Sequence, residues 1–429
     1  MPSAHMNETS PMVNGQHNSV TYTSSLSSTT TPSSFPPQTF SPPLCGSFNL
    51  IYVLNFSDGV KWVLRIPLEN SQSSESCTVG SRLESEVMTI RFIRKNTTTP
   101  IPEIIKFDYN SENEIASPYM MMRFAEGSPV CQLCWDETGP TPLEECRHRI
   151  LDNIASAMSQ LSQFTYQKIG SLQFAEDPRY SLSILPNICP INIIDEEAEI
   201  EQLDSEADTC AVFKSAVVFK NIGPFTSSQE YITALLDAQP PPDDSYSLGM
   251  QNLLRMMIKN LPLSRPVAGI EGSGIEGFEL SHPDFSGQNF LASEDGTLTA
   301  AIDWDDVHTV PAWIGCCAYP AWLTRLGPSM YGYPEAEREN SPEELDKYRK
   351  YYAAKMASLG SAKFTIKSEI HEAVCIAASS PLCIYNIVDK IFHHMFPPPE
   401  NGNGYNSDDF DLFEVAEALA GDMRPDVSS

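Results

Sequence analysis

Basic residues are scarce in this chain of 429 residues: 27 Lys and Arg stand against 56 Asp and Glu, a formal charge of −29. That argues against nucleic acid as a partner, since phosphate backbones are gripped by clustered cations, and it disfavours an anionic membrane surface. A neutral or cationic substrate is the softer implication, because net charge speaks to steering and solubility rather than to chemistry. Long apolar runs are also missing; no stretch approaches the ~20 residues of a membrane helix. Residues 1–40 are rich in Ser, Thr, Pro and Asn and lack the basic start and apolar run of a secretory signal. The eleven cysteines are odd in number, so they read as reduced thiols, and the expectation is a cytoplasmic protein with no membrane or nucleic-acid partner. Cys131, Cys134, Cys146 and His148 offer four zinc-type donors. Structural zinc sites present two tight pairs, however, and residues two apart on a helix do not share a face, so zinc is not expected.

What remains is a hydrophobic share of 41%, enough for a sizeable core. Residues 1–43 read as a disordered tail. Leu50–Phe56 and Lys61–Ile66 are strand-like, joined by the turn signal Ser57-Asp58-Gly59. A helix is predicted over 81–95, with Leu83, Ile90 and Ile93 on one face and Glu86 in the same stripe; Glu84, Met88, Arg91 and Lys95 form a wetter face. An acid on a buried stripe implies a charged partner. Strand-like runs follow near Ile104 and over Tyr119–Phe124. From Gly127 the pattern is mainly helical. Thr141-Pro142-Leu143-Glu144 reads as a capping box opening a helix that runs to about 168–170. Further helices are expected near 248–260, 342–358 and 369–396, with an acidic, solvated insertion at 195–208 and a short amphipathic piece at 410–419.

The chemistry concentrates in His282-Pro283-Asp284-Phe285-Ser286-Gly287-Gln288-Asn289 and Ile302-Asp303-Trp304-Asp305. Between them two short strands flank the turn signal Asp295-Gly296. Positions 289 and 303 are symmetric about that turn, so they fall opposite or nearly opposite in an antiparallel ribbon. An amide oxygen and a carboxylate side by side suit Mg²⁺, which prefers hard oxygens and nucleotide phosphates. Asp284, in the loop entering the ribbon, is placed to accept or orient the proton of an attacking hydroxyl.

His-x-Asp-x-x-x-x-Asn followed by a strand-terminal Asp resembles the catalytic and metal-binding segments of the protein-kinase-like superfamily. The variant His-Pro-Asp with Ile-Asp-Trp-Asp resembles its aminoglycoside phosphotransferase and choline kinase branch, and the stretches 218–231 and Tyr319–Leu323 resemble fungal members. The resemblance spans about residues 44–395. It implies an α+β, two-lobed fold: a nucleotide-binding lobe of sheet plus helix at 44–125, a mainly helical catalytic and substrate-binding lobe at 126–396, and a tail at 397–429. It also implies transfer of the γ-phosphoryl group of ATP to a small-molecule hydroxyl. Asp284 would be catalytic, and Asn289 and Asp303 would hold Mg²⁺. Gly46 and Ser47 stand where the phosphate-covering loop lies, with a single glycine. Arg65 stands in place of the usual phosphate-contacting Lys, paired with Glu86, although an exposed strand arginine is the alternative. Met122 and Phe124 stand at the hinge that meets adenine. His282 is assigned a bracing role, His308 a structural one, and Asp305 a role beside metal or substrate. A binding or scaffold module on the same fold is the rival reading, motivated by Arg65 and the glycine-poor loop. A protein kinase proper is disfavoured, since neither an Arg in the catalytic loop nor an Ala-Pro-Glu signal is present.

Overall fold

The computed structural model describes residues 39–46, 48–68, 79–180, 186–195, 218–261, 276–324, 338–360 and 362–395, with pieces at 12–13, 198, 334, 336, 415–416 and 418–420. Ser47 and nearly all of the expected tails, acidic insertion and amphipathic piece lie outside these residues. The chain forms two compact units, Met1–Pro224 with Phe278–Val310, and Phe225–Gly277 with Pro311–Ser429.

In the first unit, Gly59 turns the chain at φ +82° and joins β1 (Asn49–Asn55) to β2 (Lys61–Pro67) as an antiparallel hairpin. A positive φ carries little steric cost for glycine. Helix α1 (Val79–Asn96) precedes β3 (Ile104–Asp108) and β4 (Tyr119–Arg123). The sheet runs β1-β2-β4-β3, with the short strands Thr39–Phe40 and Leu44–Cys45 both pairing with β1. Helix α1 buries Leu83, Val87, Ile90 and Ile93 together with Glu86. Full burial of such an aliphatic side chain contributes about 1.5–3 kcal/mol. Glu84 stays partly exposed. Arg91, expected on the wetter face, is buried instead, because Asp177 meets it at 2.6 Å and the Phe107 ring lies 4.7 Å beneath its guanidinium. A distant loop supplied the cover that helical spacing could not reveal.

A second small sheet is built from β5 (Ser128–Pro129), β6 (Phe290–Ala292) and β7 (Leu298–Ala301), in the order β7-β6-β5. Helix α2 (Leu143–Met158) stops about ten residues before the expected end; a tighter turn at Ser159–Gln163 leads into a strand at Phe164–Tyr166. Its buried stripe, from Cys146 through Ile154 to Leu161, is the predicted one, but Phe164 reaches the core from a strand. The capping box does not form, for Pro142 itself is the cap residue and no side chain caps the helix.

The second unit is helical. It holds α3 (Ser228–Asp237), α4 (Ser245–Asn260), α5 (Pro342–Ser358), α6 (Ala362–Ser379) and α7 (Pro381–Met395). Ser341 and Glu344 form a true capping box on α5. The single helix expected at 369–396 is two helices, because Pro381 lacks the N–H that would continue the first. Helix α6 packs against α3, α5 and α7, and Gln239 caps its end by donating to the carbonyls of Ala377 and Ala378 at 3.0 and 2.8 Å. A small antiparallel sheet with one helix in the amino-terminal part and a helical carboxy-terminal part make the expected α+β class.

Candidate active site

The β6–β7 hairpin is organised by Asp295, whose carboxylate accepts from Ser293 at 2.6 Å and from the Thr297 amide at 3.1 Å. The register pairs Phe290 with Ala301, so Asn289 stands opposite Ile302, whose amide donates to the Asn289 carbonyl at 2.9 Å. Asp303, which symmetry about Gly296 puts opposite Asn289, therefore lies one residue past the observed partner. The offset arises because the turn is centred on Asp295, with Ala292 opposite Leu298, and the shift in the ladder between Leu291 and Ala292 recovers one of the two residues. Beyond Ala301 the chain leaves the strand, and Asp303 takes φ +64°, which re-aims its side chain; Asp306 follows at +55°. Left-handed backbone is uncommon for a residue with a Cβ, although Asp tolerates it better than most.

Asn289 is buried and donates from Nδ2 to the Asp284 carbonyl at 3.0 Å and to Asp284 Oδ2 at 2.8 Å, which leaves its Oδ1 as the acceptor end. Gln288 also donates to Asp284 Oδ2, at 3.2 Å. Burial pushes the Asp303 carboxyl up to about 6; Asp305, Asp284 and Asp306 add to the rise and Arg65 opposes it. His282 lies between the rings of Phe290 and Trp304, at 5.1 and 4.6 Å, and its Nε2–H donates to the Ile302 carbonyl at 2.8 Å. Burial lowers its pKa to about 4, so it stands neutral at pH 7 as a brace between the two motifs. His308 is likewise pushed down by burial, and its Nδ1 meets the Asp306 carbonyl at 2.7 Å.

Arg65 projects from β2 onto Glu86 of α1 in a two-pronged pair, Nη1 to Oε1 at 2.9 Å and Nη2 to Oε2 at 2.5 Å, with both residues buried. Nη2 also meets Asp305 Oδ1. Burial by itself would loosen the Arg65 proton, but Glu86 and Asp305 hold the guanidinium firmly charged. Its Nε is buried without a partner. Asp305 thus sits on Arg65, and its Oδ2 accepts from Asn49 Nδ2 at 2.7 Å.

Gly46 lies in the turn between Leu44–Cys45 and β1, its amide donating to the Asn49 carbonyl at 2.9 Å. Met122 lies inside the sheet, with β2 on one side and β3 on the other. The Phe124 amide donates to the Lys61 carbonyl at 3.1 Å, so the first backbone beyond the sheet is Ala125–Gly127. Two residues here were not singled out from sequence, Arg82 and Asp306, and Asn49 was read only as the end of the loop segment 46–49. Arg82 holds Asp306 from Nε at 2.8 Å and Nη2 at 2.6 Å, and stacks 3.5 Å from the Phe219 ring. Asn49 and Asp305 are 256 positions apart and Arg82 and Asp306 are 224 apart, beyond the reach of any local pattern. Asn49, Arg65, Arg82, Glu86, Asp305 and Asp306 line one cleft, whose lining does not include Asp284, Asn289 or Asp303.

The site is a set of hard oxygen donors, from Asp303, Asn289 and Asp284, beside a fixed cation. Carboxylate and amide oxygens of this kind suit a divalent ion such as Mg²⁺. The four zinc-type donors set aside from sequence do not form a cluster among the described residues.

No protein-family profile matches the chain. In sequence it is similar to "Altered inheritance of mitochondria protein 9, mitochondrial" of Candida albicans (strain WO-1), 30% identical over 139 residues, 32% of this chain and 22% of that protein. The protein of the same name from Clavispora lusitaniae is 21% identical over 367 residues, 78% of this chain and 58% of the relative. The matched part is thus about a fifth of the length of the first relative and under two thirds of the second. Among solved structures the chain is similar to aminoglycoside phosphotransferase APH(4)-Ia, with TM-score 0.41, 15% identity, and coverage of 90% of this chain and 95% of that one. Macrolide 2'-phosphotransferase MphH from Brachybacterium faecium gives TM-score 0.40 and 11% identity, covering 85% and 93%. The fungal part of the resemblance reappears in the sources of the sequence relatives. The cytoplasmic placement is corrected by the names of the relatives, which read "mitochondrial". A missing secretory signal separates export from retention and does not distinguish cytosol from an organelle.

Proposed function

We propose that the chain is a phosphotransferase that moves the γ-phosphoryl group of ATP onto a hydroxyl of a small molecule. The observation that carries this reading is the contact of Asn289 with Asp284 at 2.8 Å, with Asp303 in the electrostatic field of Asp284 and of Arg65, and Arg65 paired with buried Glu86. Asn289 Oδ1 and the Asp303 carboxylate would hold Mg²⁺, which when bound neutralises phosphate charge. Arg65 would hold nucleotide phosphate, oriented by Glu86; its fork suits phosphate oxygens as well as the usual Lys does. Asp284, fixed by the Asn289 amide, would orient the acceptor hydroxyl and take its proton as the oxygen attacks the γ-phosphorus and ADP leaves. His282 acts through its neighbours by tying the catalytic loop to Ile302. Residues 44–125 would form the nucleotide-binding part, with adenine meeting the backbone near Met122 and Phe124.

Catalysis here would rest on positioning and charge rather than on a covalent intermediate. Asp284→Asn should then keep ADP affinity within about threefold while turnover with an accepted substrate falls at least about a hundredfold. Undiminished turnover would remove Asp284 from its role. The acceptor is to be found by screening hydroxylated metabolites for ATP consumption. A second reading, a binding module without turnover, is favoured by one observation: carboxylates lie on both sides of the Arg65 fork. A thermal-shift titration with Mg²⁺ and ADP separates the two, since the module gives no shift at millimolar nucleotide.

A further inference from the structure

The cation assigned to phosphate already carries two anions. Glu86 holds both Nη atoms of Arg65, and Asp305 Oδ1 meets Nη2. Asp305 Oδ2 at the same time accepts from Asn49, the residue that ends the turn at Gly46. Asp305 therefore makes the two contacts a phosphate would make here, one to a guanidinium and one to the loop beside it. The two acids are not equivalent. The Glu86 side chain is 4% exposed and fixed on a helix, whereas the Asp305 side chain is 20% exposed and lies in a turn. Of the two, Asp305 is the one able to leave.

The surrounding charge decides what can displace it. Glu86, Asp303 and Asp305 act on Arg65, Asp284 and Asp306 act on Asp303, and Arg82 answers Asp306. Five carboxylates thus face two guanidinium groups. A bare polyphosphate brings more negative charge to this cluster and leaves Asp305 without a counter-charge, in a partly buried place where such a loss is costly. A polyphosphate carrying a divalent cation brings the counter-charge with it.

We infer that Asp305 is an internal competitor for phosphate, and that it makes the cleft select metal-bound over metal-free nucleotide. Phosphate oxygens replace the Asp305 carboxylate on Arg65 and Asn49, and the carboxylate turns to the incoming cation. No covalent bond forms or breaks. The inference rests on the proposed reading that a nucleotide binds at this cleft.

Calorimetric titration of the full chain with ADP, in Mg²⁺ and in EDTA, tests it on wild type, Asp305→Asn and Asp305→Ala. Asp305→Asn keeps the shape of the side chain, and Arg65 retains Glu86 in both variants, so melting curves near wild type are expected. Metal-free ADP should bind both variants about tenfold or more tighter than wild type, and the ratio of metal-bound to metal-free affinity should shrink by a similar factor. If wild type binds Mg·ADP but neither variant gains affinity for metal-free ADP, the competitor role is overturned and the nucleotide site stands. If wild type binds ADP under neither condition, this inference and the function beneath it both fall.

Discussion

Replacing Glu86 by Leu leaves Arg65 in the core with Asp305 as its remaining directly bonded anion. Breaking a buried ion pair from one side costs about 3–5 kcal/mol, because the other charge stays uncompensated. Asp305 offsets part of this, so the expected loss lies near the lower bound, about 3 kcal/mol. Arg65→Met strands Glu86 instead. Burial already presses the Glu86 carboxyl upward, and without Arg65 it takes up a proton, which limits the loss to about the same 3 kcal/mol. The double variant Arg65→Met, Glu86→Leu replaces the pair with apolar groups of similar volume, an exchange that is often neutral, so it should lie within about 1 kcal/mol of wild type. The cycle therefore gives an interaction energy of roughly 5–7 kcal/mol, far outside the additivity of independent sites. Urea denaturation of the four proteins at pH 7 measures it, and each single variant should also melt about 6–12 °C lower. Single losses that add in the double variant to within about 0.5 kcal/mol would show that the pair does not act as a unit in the core.

Two further outcomes concern the frame around the site. Gly127 has φ +132°, and a Cβ there would lie 2.6 Å from Thr299 Oγ1 and 2.9 Å from the Ala292 carbonyl; Gly127→Ala should cost about 1–3 kcal/mol, read as a lower urea midpoint. Because the His282 pKa falls to about 4 in the fold against ~6.5 unfolded, the unfolded chain binds the extra proton, and stability is lost as pH falls through that window. The His282 contribution between pH 7 and pH 5 should be a loss of about 2 kcal/mol, read as the difference in pH dependence between wild type and His282→Phe; an equal slope in both would place the acid sensitivity elsewhere.

Much of this site was legible in residue order, for reasons that are local. The two motifs lie fourteen residues apart around an Asp-Gly turn, and a short hairpin needs only turn chemistry and alternation to form. Glu86 announced a partner because a carboxylate on an apolar helical stripe is too costly to stand alone. Element edges were less readable. The helical stripe of α2 continues past Met158 through Leu161, yet the backbone tightens and then extends, because core contacts rather than periodicity fix where Phe164 enters. Pro381 divides the apolar pattern of 369–396 into two helices, a break that periodicity alone does not mark.

By itself, then, the sequence determined the order of strand and helix, the hairpin that gathers Asp284, Asn289 and Asp303, and the need for a cation beside Glu86. Those are set by turn residues, side-chain periodicity and the cost of burying charge, all of which act over a few residues. Only the tertiary structure decided that Arg65 also meets Asp305, that Asn49 ties a loop to the same carboxylate, that Arg82 takes Asp306, and that Asp177 buries Arg91. Each of those contacts joins residues more than eighty positions apart. Which acid reaches which base is then settled by how the elements pack, and by the geometry of the charges once water has been excluded.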